Sequence, residues 1–462
     1  MPKSGDMTEA KAWRPVVILP ALSKPLEKIL NHQMKEHLIS NNLISEEQHA
    51  YQAKKSTATA WKELETITLA GLDRHKLMAY QLNDMSAAFN LVDRKVLVPK
   101  MKKLGFSDMV CNLIDSYMQG RTNSVKVDGY VSDPVEVPTG VGEGSVLGPL
   151  IFLIQIIEVT EVMNVIREIL EDRDPILSDS TELRTVQFAD DCTNVLATDN
   201  EWQMEELLDV CSKEYHRYFS AQGMKLNRSK EEHIVHAHSK AARIKGDIKV
   251  DGREEAEAVK LLGITVNRDF KFTRHTNRVI SNTNHRLAHV AKVKPLLGEK
   301  QFQMVLHSLV TSVHHWGMEL AGRDQVNVRK LQKTQNSIMR VQTDSDMLMS
   351  VRYLLSKTNT LNVPNQTRLF NMQLMRKVIL EGMCPRTMEY VRMPPPDSRL
   401  MQIGDVFPRE TRHGPNSQLV KGLSLLNDMK WLKDKGKRES NKAFKKKAKA
   451  YLLAKFDNAN VH

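Results

Sequence analysis

VQFADDCTNV, residues 186–195, sets two carboxylates, Asp190 and Asp191, side by side between apolar arms. Val186 and Phe188 precede the pair and Val195 and Leu196 follow it, the pattern of a tight hairpin packed on a core. Strands disfavour aspartate, although turns accept it. Two anions beside a low-dielectric surface are costly unless cations offset them. The apolar flanks therefore favour a cation-collecting site over a solvated turn. Oxygen-only ligands suit Mg²⁺, and a third carboxylate at an adjacent strand end would complete the set. LMAYQLNDM (77–85) reads as a strand that delivers Asp84 at its end. Two ions about 3.5–4 Å apart in such a site would stabilise both the attacking and the leaving oxygen in phosphoryl transfer.

Working outward, VVILP (16–20) is a β-rich apolar run closed by proline and predicts a short strand. Ser23 is placed to cap a helix in which Leu26, Ile29, Leu30, Met34 and Leu38 recur at helical spacing to about residue 40. The segment VDRKVLVPKMKKLGF predicts a helix behind the Asp84 strand. Residues 123–128 and 130–137 predict paired strands around Asp128–Gly129. Ser145 is placed to cap a helix carrying Val146, Leu147, Leu150, Ile151, Leu153, Ile154 and Ile157, apolar almost all round and hence buried. Residues 172–182 read as a loop. Beyond the aspartate hairpin come a helix (202–219), a strand near 231–237 and VKLLGITV (259–266), and from about residue 276 helices dominate.

At 462 residues the chain is long enough for more than one folding unit. No unbroken run of about 18 apolar residues is present, which argues against a membrane span. The first residues, MPKSGDMTEAKAW, lack the apolar segment of a secretory signal. Cys111, Cys192, Cys211 and Cys384 are scattered, which fits a reducing compartment and an intracellular location. Net charge is +12, and +9 of it lies in the stretch 430–455, where eleven Lys and Arg face Asp434 and Glu439. Such a tail favours a polyanionic partner.

The ordered series of motifs resembles the reverse transcriptases of non-LTR (LINE-like, jockey-type) retrotransposons, from about Trp13 to beyond residue 380. WRPVVILPALSKPLEKIL is similar to the opening fingers motif, and QHAYQAKKSTATA to the next. NDMSAAFNLVD matches the first palm motif, GVGEGSVLGPLIF the one written Pro-Gln-Gly-Ser-x-Leu-Gly-Pro, and FADD the second aspartate motif. GMKLNRSKEE, VKLLGITV and LQKTQNSIMR continue the series.

The resemblance implies an α+β right-hand polymerase with a mixed or antiparallel palm sheet. Fingers and palm would occupy residues 1–275 and a thumb-like helical region 276–345. A helical extension, 346–462, would follow, with its basic tail at 430–456. The implied activity is RNA-directed DNA synthesis, in which an RNA template directs extension of a DNA primer with dNTPs. Asp84, Asp190 and Asp191 would coordinate two Mg²⁺ ions, with Mn²⁺ as the substitute. Lys230 matches the lysine that protonates the leaving pyrophosphate, against the plainer reading of a solvated turn lysine. Phe89 is either the aromatic gate against a ribose 2′-OH or a core residue. Lys54 and Lys55 would grip the triphosphate, and Glu143 and Gly144 occupy the nucleotide-contacting motif. The chain begins almost at the first motif, which is read as lacking the upstream endonuclease domain such elements often carry.

The departures from the family pattern fall in the nucleotide pocket. Gln52 replaces the usual Arg, Ala87 the usual Lys and Asn90 a common Asp, while Gly142–Glu143 replaces Pro-Gln. Glu143 would bring a negative charge towards a triphosphate. Two alternatives stay open: a decayed element that only binds nucleic acid, and a maturase-like RNA-binding protein. In the tail, Phe444, Ala448, Tyr451 and Leu452 form a helical stripe surrounded by Lys442, Lys445, Lys446, Lys447 and Lys449. That pattern suits a helix docked by one face with the other offered to phosphates. KDKGKRESNKAFKKKAK reads equally as a nuclear address or as nucleic-acid contact. The histidines of HIVHAH (233–238) read as an exposed strand face, and His314, His315 and Trp316 as packing residues.

Overall fold

Leu77 and Ala79 point to one side of strand β1 (Leu77–Asn83), and Met78 and Tyr80 to the other, and all four are buried. This alternation explains the architecture, because a strand apolar on both faces must be covered twice. The computed structural model describes residues 17–85, 88–127, 129–173, 181–237 and 248–382, then 384, 387–388, 391–392, 402–403, 418–429 and 440–456. Ser86, Ala87, Asp128, His238, most of the predicted 172–182 loop and the basic stretch 430–439 lie outside the described residues.

The central sheet has four strands, β1, β2 (Glu182–Phe188), β3 (Asp191–Thr198) and β4 (Glu232–Ala237), in the order β2-β3-β1-β4 with every pair antiparallel. Helix α1 (Ser23–Ser40) leads into the fingers-side loop. Helix α2 (Thr57–Arg74) covers one face, in a cluster with Met78, Tyr80, Val186, Val195 and Ile234. The other face lies under α3 (Gly148–Gln155) and α4 (Glu201–Ala221), packed with Leu77, Ala79, Leu183, Leu196 and Val235. The hairpin β5 (Ala258–Leu261) and β6 (Ile264–Asn267) is not hydrogen-bonded into the sheet but packs in the same cluster as Tyr80 and Ile234, and leads into α5 (Thr273–Val293). Then come α6 (Gln325–Thr343), α7 (Val363–Glu381), α8 (Gln418–Asp428) and α9 (Asn441–Lys455). Leu423, Leu426, Phe444, Ala448 and Leu452 from α8 and α9 enter the same apolar cluster as α2.

Most predicted elements form where the periodicity places them, and the differences have local causes. Residues 17–20 are not a strand: Pro20 lacks a donor, and Val17 makes one backbone bond, its N–H to Glu143 O at 3.1 Å. Ser23 opens α1 but does not cap it; its hydroxyl donates to Pro20 O at 2.8 Å. Leu26 and Ile29 are exposed, because the inward face of α1 instead presents Glu27, whose Oε2 accepts from Val146 N and Leu147 N ahead of α3. His233 and His236 are buried rather than exposed; their rings bond to Ile248 O and Arg268 O at 2.9 and 3.0 Å. Residues 148–173 hold no unbroken run of about 18 apolar residues but are long and apolar enough overall to cross a bilayer, and 67% of their most apolar 18-residue stretch is buried inside the fold, as in a core helix. A 3₁₀ stretch, Ile157–Glu161, interrupts it.

Candidate active site

Register brings the aspartates together. Asn83 pairs with Cys192, so Asp84 leaves β1 beside Asp191 at the start of β3. Phe188 pairs with Asp191 across a two-residue turn, Ala189–Asp190, at the tip of the β2–β3 hairpin. The Asp84 carbonyl accepts from Asn227 N at 3.0 Å, which docks the short turn Arg228–Lys230 against the strand end. From that turn Lys230 places Nζ 2.8 Å from Asp84 Oδ2. Behind it, the buried Glu231 carboxylate receives Arg253 at 2.6 Å, and Arg253 also donates to Arg228 O at 2.8 Å.

A cleft of about 330 Å³ opens here, lined by Asp84, Asp191, Lys230, Glu232, Lys260 and Leu262 among others. Burial, then Asp190 and Asp84, push the Asp191 carboxyl up to about 6, with Lys230 acting in the opposite direction. This is what like charges at half-buried positions do to one another. A larger cleft of about 670 Å³, between residues 42–49 and the segment Ile157–Arg167, holds none of the three aspartates.

The other residues singled out from sequence fall around this centre rather than in it. Lys54 is exposed and held at φ +71°. Lys55 turns inward, with Nζ 3.1 Å from Gln48 O and a second bond to Glu46 O, and burial lowers its pKa. It braces its own loop in this arrangement and leaves Lys54 as the outward cation. Phe89 is half-buried and stacks on Phe152, with centroids 5.1 Å apart, which supports the core reading. Glu143 and Gly144 do not line the aspartate cleft; Gly144 sits at φ +107°, where a side chain would be strained. On α9, Phe444, Ala448 and Leu452 are buried while Lys442, Lys445, Lys446 and Lys447 are exposed; Lys449 instead reaches Asn359 Oδ1 at 3.1 Å.

Sequence reasoning did not find two neighbours of the aspartate turn. Gln48 Oε1 accepts from Ala189 N at 3.0 Å, and Tyr51 lies close enough to Asp190 for that carboxylate to raise the phenol pKa, after burial. Their sequence separation of about 140 residues leaves no local signal.

The chemistry of the donor set fits divalent cations: Asp84 and Asp191 line the cleft, Asp190 lies next to Asp191 at the hairpin tip, and the Asp191 pKa is raised. Among the described residues no three His, Cys, Asp or Glu side chains are already drawn into a metal cage; the Lys230 ammonium is the cation against Asp84. Residues 1–266, more than half of the chain, match the family model of the reverse transcriptase (RNA-dependent DNA polymerase). The chain belongs to the reverse transcriptase family. Its fold is accordingly of the right-hand polymerase class, and this family uses divalent metal ions.

The chain is similar to the RNA-directed DNA polymerase from mobile element jockey of Drosophila melanogaster, 23% identical over 59% of this chain and 28% of that protein. It is also similar to the probable RNA-directed DNA polymerase from transposon BS of the same organism, 23% identical over 74% of this chain and 37% of that one. This reverse transcriptase chain thus spans about a third of the length of these relatives. Among solved structures, a Candida albicans telomerase in complex with a fragment of telomeric RNA aligns over 75% of this chain and 52% of its own, at 13% identity and a TM-score of 0.38. That likeness is too slight to carry an inference.

Proposed function

We propose that the chain is an RNA-directed DNA polymerase of a non-LTR retroelement, which extends a DNA primer on an RNA template with dNTPs. The observation that carries this reading is the meeting of Asp84, Asp190 and Asp191 at adjoining strand ends, with Lys230 against Asp84. Residues 1–275 would be fingers and palm, 276–345 the thumb and 346–462 an extension.

Asp84, Asp190 and Asp191 would hold two Mg²⁺ ions, or Mn²⁺ in their place. Bound there, the ions supply charge stabilisation to the attacking and leaving oxygens. The protein's own groups do the rest. Lys230 would hand a proton to departing pyrophosphate, and its contact with Asp84 at the cleft supports that reading. Lys54 offers charge to the triphosphate from the fingers loop. Phe89, wedged against Phe152, would act on ribose only by its exposed edge. The exposed lysines of α9 would track a phosphate backbone, and the same basic tail supports an intracellular, nuclear location. Glu143 and Gln52 are the departures that raised the reading of a decayed remnant; the family match over residues 1–266 and the polymerase relatives support catalysis as the favoured reading.

Primer extension on poly(rA)/oligo(dT) with Mg²⁺, beside the Asp190→Asn variant, tests the proposal. Incorporation by the unaltered chain and its loss in the variant are expected. Equal incorporation by both would overturn the assignment of the site. A structured RNA bound tightly with no primer-dependent synthesis would favour the maturase-like alternative.

A further inference from the structure

We propose that Gln48 is a positioning residue for the carboxylate-bearing turn, a strap from the fingers loop that fixes the Ala189 peptide and so aims Asp190 and Asp191 at the cleft. The inference deepens the function proposed above and rests on it for its catalytic consequence.

The turn needs an external hold. Ala189 stands at φ +58° while Asp190 does not have a positive φ. A two-residue hairpin loop with the left-handed conformation at its first position ordinarily uses glycine there, so alanine is strained. Its N–H does not point to solvent: Ala189 is buried and donates to Gln48 Oε1 at 3.0 Å. Gln48 is itself only 2% exposed, and the same oxygen accepts from Ala50 N at 2.9 Å.

Backbone pairing brings Gln48 to the hairpin. His49 N donates to Gln187 O at 2.8 Å and Gln187 N to Glu47 O at 3.0 Å, a parallel bridge two residues before the strained alanine. The loop is braced on its far side as well. Gln52 Nε2 and Lys55 Nζ both donate to Gln48 O, at 2.6 and 3.1 Å. Tyr51, on the exposed side of the same loop, lies within the field of Asp190. The fingers loop and the hairpin tip are thus one mechanical unit, with the Gln48 amide at the joint. A buried polar side chain that closes two backbone donors at once is costly to replace, because both donors lose their partner.

The test compares Gln48→Leu with the double variant Gln48→Leu/Ala189→Gly. Leucine fills similar volume without an acceptor, and glycine adopts the turn's φ freely. Hydrogen exchange by mass spectrometry, with no metal or nucleic acid present, reads the hold on the turn. Amides of peptides spanning 187–191 should exchange about tenfold faster in Gln48→Leu. In templated single-nucleotide incorporation kcat should fall about tenfold, with the KM for dNTP and template–primer affinity within about twofold of the unaltered chain. The double variant should regain thermal stability while kcat stays low. Unchanged exchange in Gln48→Leu, or full recovery of kcat in the double variant, would overturn the proposal. Failure of the unaltered chain to incorporate nucleotide would overturn the polymerase reading instead, and the exchange comparison would then decide the role of Gln48 alone.

Discussion

Lys230 Nζ lies 2.8 Å from Asp84 Oδ2, joining groups 146 residues apart in the chain. The sheet fixes β1, and the Arg228–Lys230 turn is docked on the end of that strand through Asn227 N to Asp84 O and held from behind by Arg253. The pair keeps a positive charge at the mouth of the cleft, and under the proposed function Lys230 would be the proton donor there.

Replacing that lysine separates the two effects. Lys230→Ala should lower single-turnover incorporation about a hundredfold, within the range of general acid contributions. Lys230→Arg keeps the charge but holds its proton at any working pH, so substrate affinity should recover while the rate does not. Rapid-quench measurements at saturating dNTP check this, and an arginine variant with the full rate would remove Lys230 from proton transfer.

The three carboxylates oppose one another when no cation lies between them. Asp191→Asn removes one negative charge from the half-buried group and should therefore raise stability while abolishing synthesis. Relief on the order of 1 kcal/mol corresponds to a rise of about 2–4 °C in Tm for a domain of some 200 residues. Thermal melts in chelator read this directly. An unchanged or lower Tm would mean that the aspartates are too well solvated to repel.

Buried histidines set an acid limit on the fold. Burial holds His49 and His314 down to about 3 and His236 to about 4, with Lys55 adding to the effect at His49 and His315 at His314. In the unfolded chain each would take up a proton near pH 6.5, so the unfolded state binds more protons below that value. Stability is therefore complete above about pH 6.5 and declines as pH falls towards the folded values, by up to about 1.4 kcal/mol per pH unit for each residue. Urea midpoints at pH 7, 6 and 5 should drop in sequence, and the drop should be shallower in His236→Gln. A flat profile over this range would contradict the burial of these rings.

The outer face of α9 should respond to salt. Because Phe444, Ala448 and Leu452 anchor the helix, truncation would damage the core, and neutralising Lys442, Lys445, Lys446 and Lys447 to glutamine is the cleaner change. The slope of log affinity for template–primer against log salt should become shallower by about 0.7–0.9 for each lysine that contacts phosphate. If the slope stays the same, the helix is a docking element only.

The sequence shows the strand-end aspartates plainly because a short apolar strand run and a short apolar hairpin are local signals. Asp84, Asp190 and Asp191 needed only β1 and β3 to be neighbours in register. The same reading misjudged VVILP, where one proline outweighs β-propensity. It misjudged His233 and His236 because their carbonyl partners, at Ile248 and Arg268, come from later segments. Lys55 looked like a substrate ligand because its charge is visible in sequence, whereas the carbonyls of Glu46 and Gln48 that capture it belong to every residue type. Gln48 stands at the start of a motif the sequence shows, but its role does not, since a glutamine in a polar loop becomes informative only when Ala189 is brought to it.

The match to the family ends at residue 266, yet α2, well inside that stretch, shares its apolar surroundings with α7, α8 and α9. Ancestry and packing therefore draw different borders through this chain. A fragment cut at the family boundary would keep α2 over Met78 and Tyr80 but strip away the apolar residues of α7, α8 and α9 that complete the same cluster, and it should be recovered as aggregate rather than as a smaller folded unit. The residues after the matched stretch are as necessary to the fold as the aspartates are to the proposed chemistry.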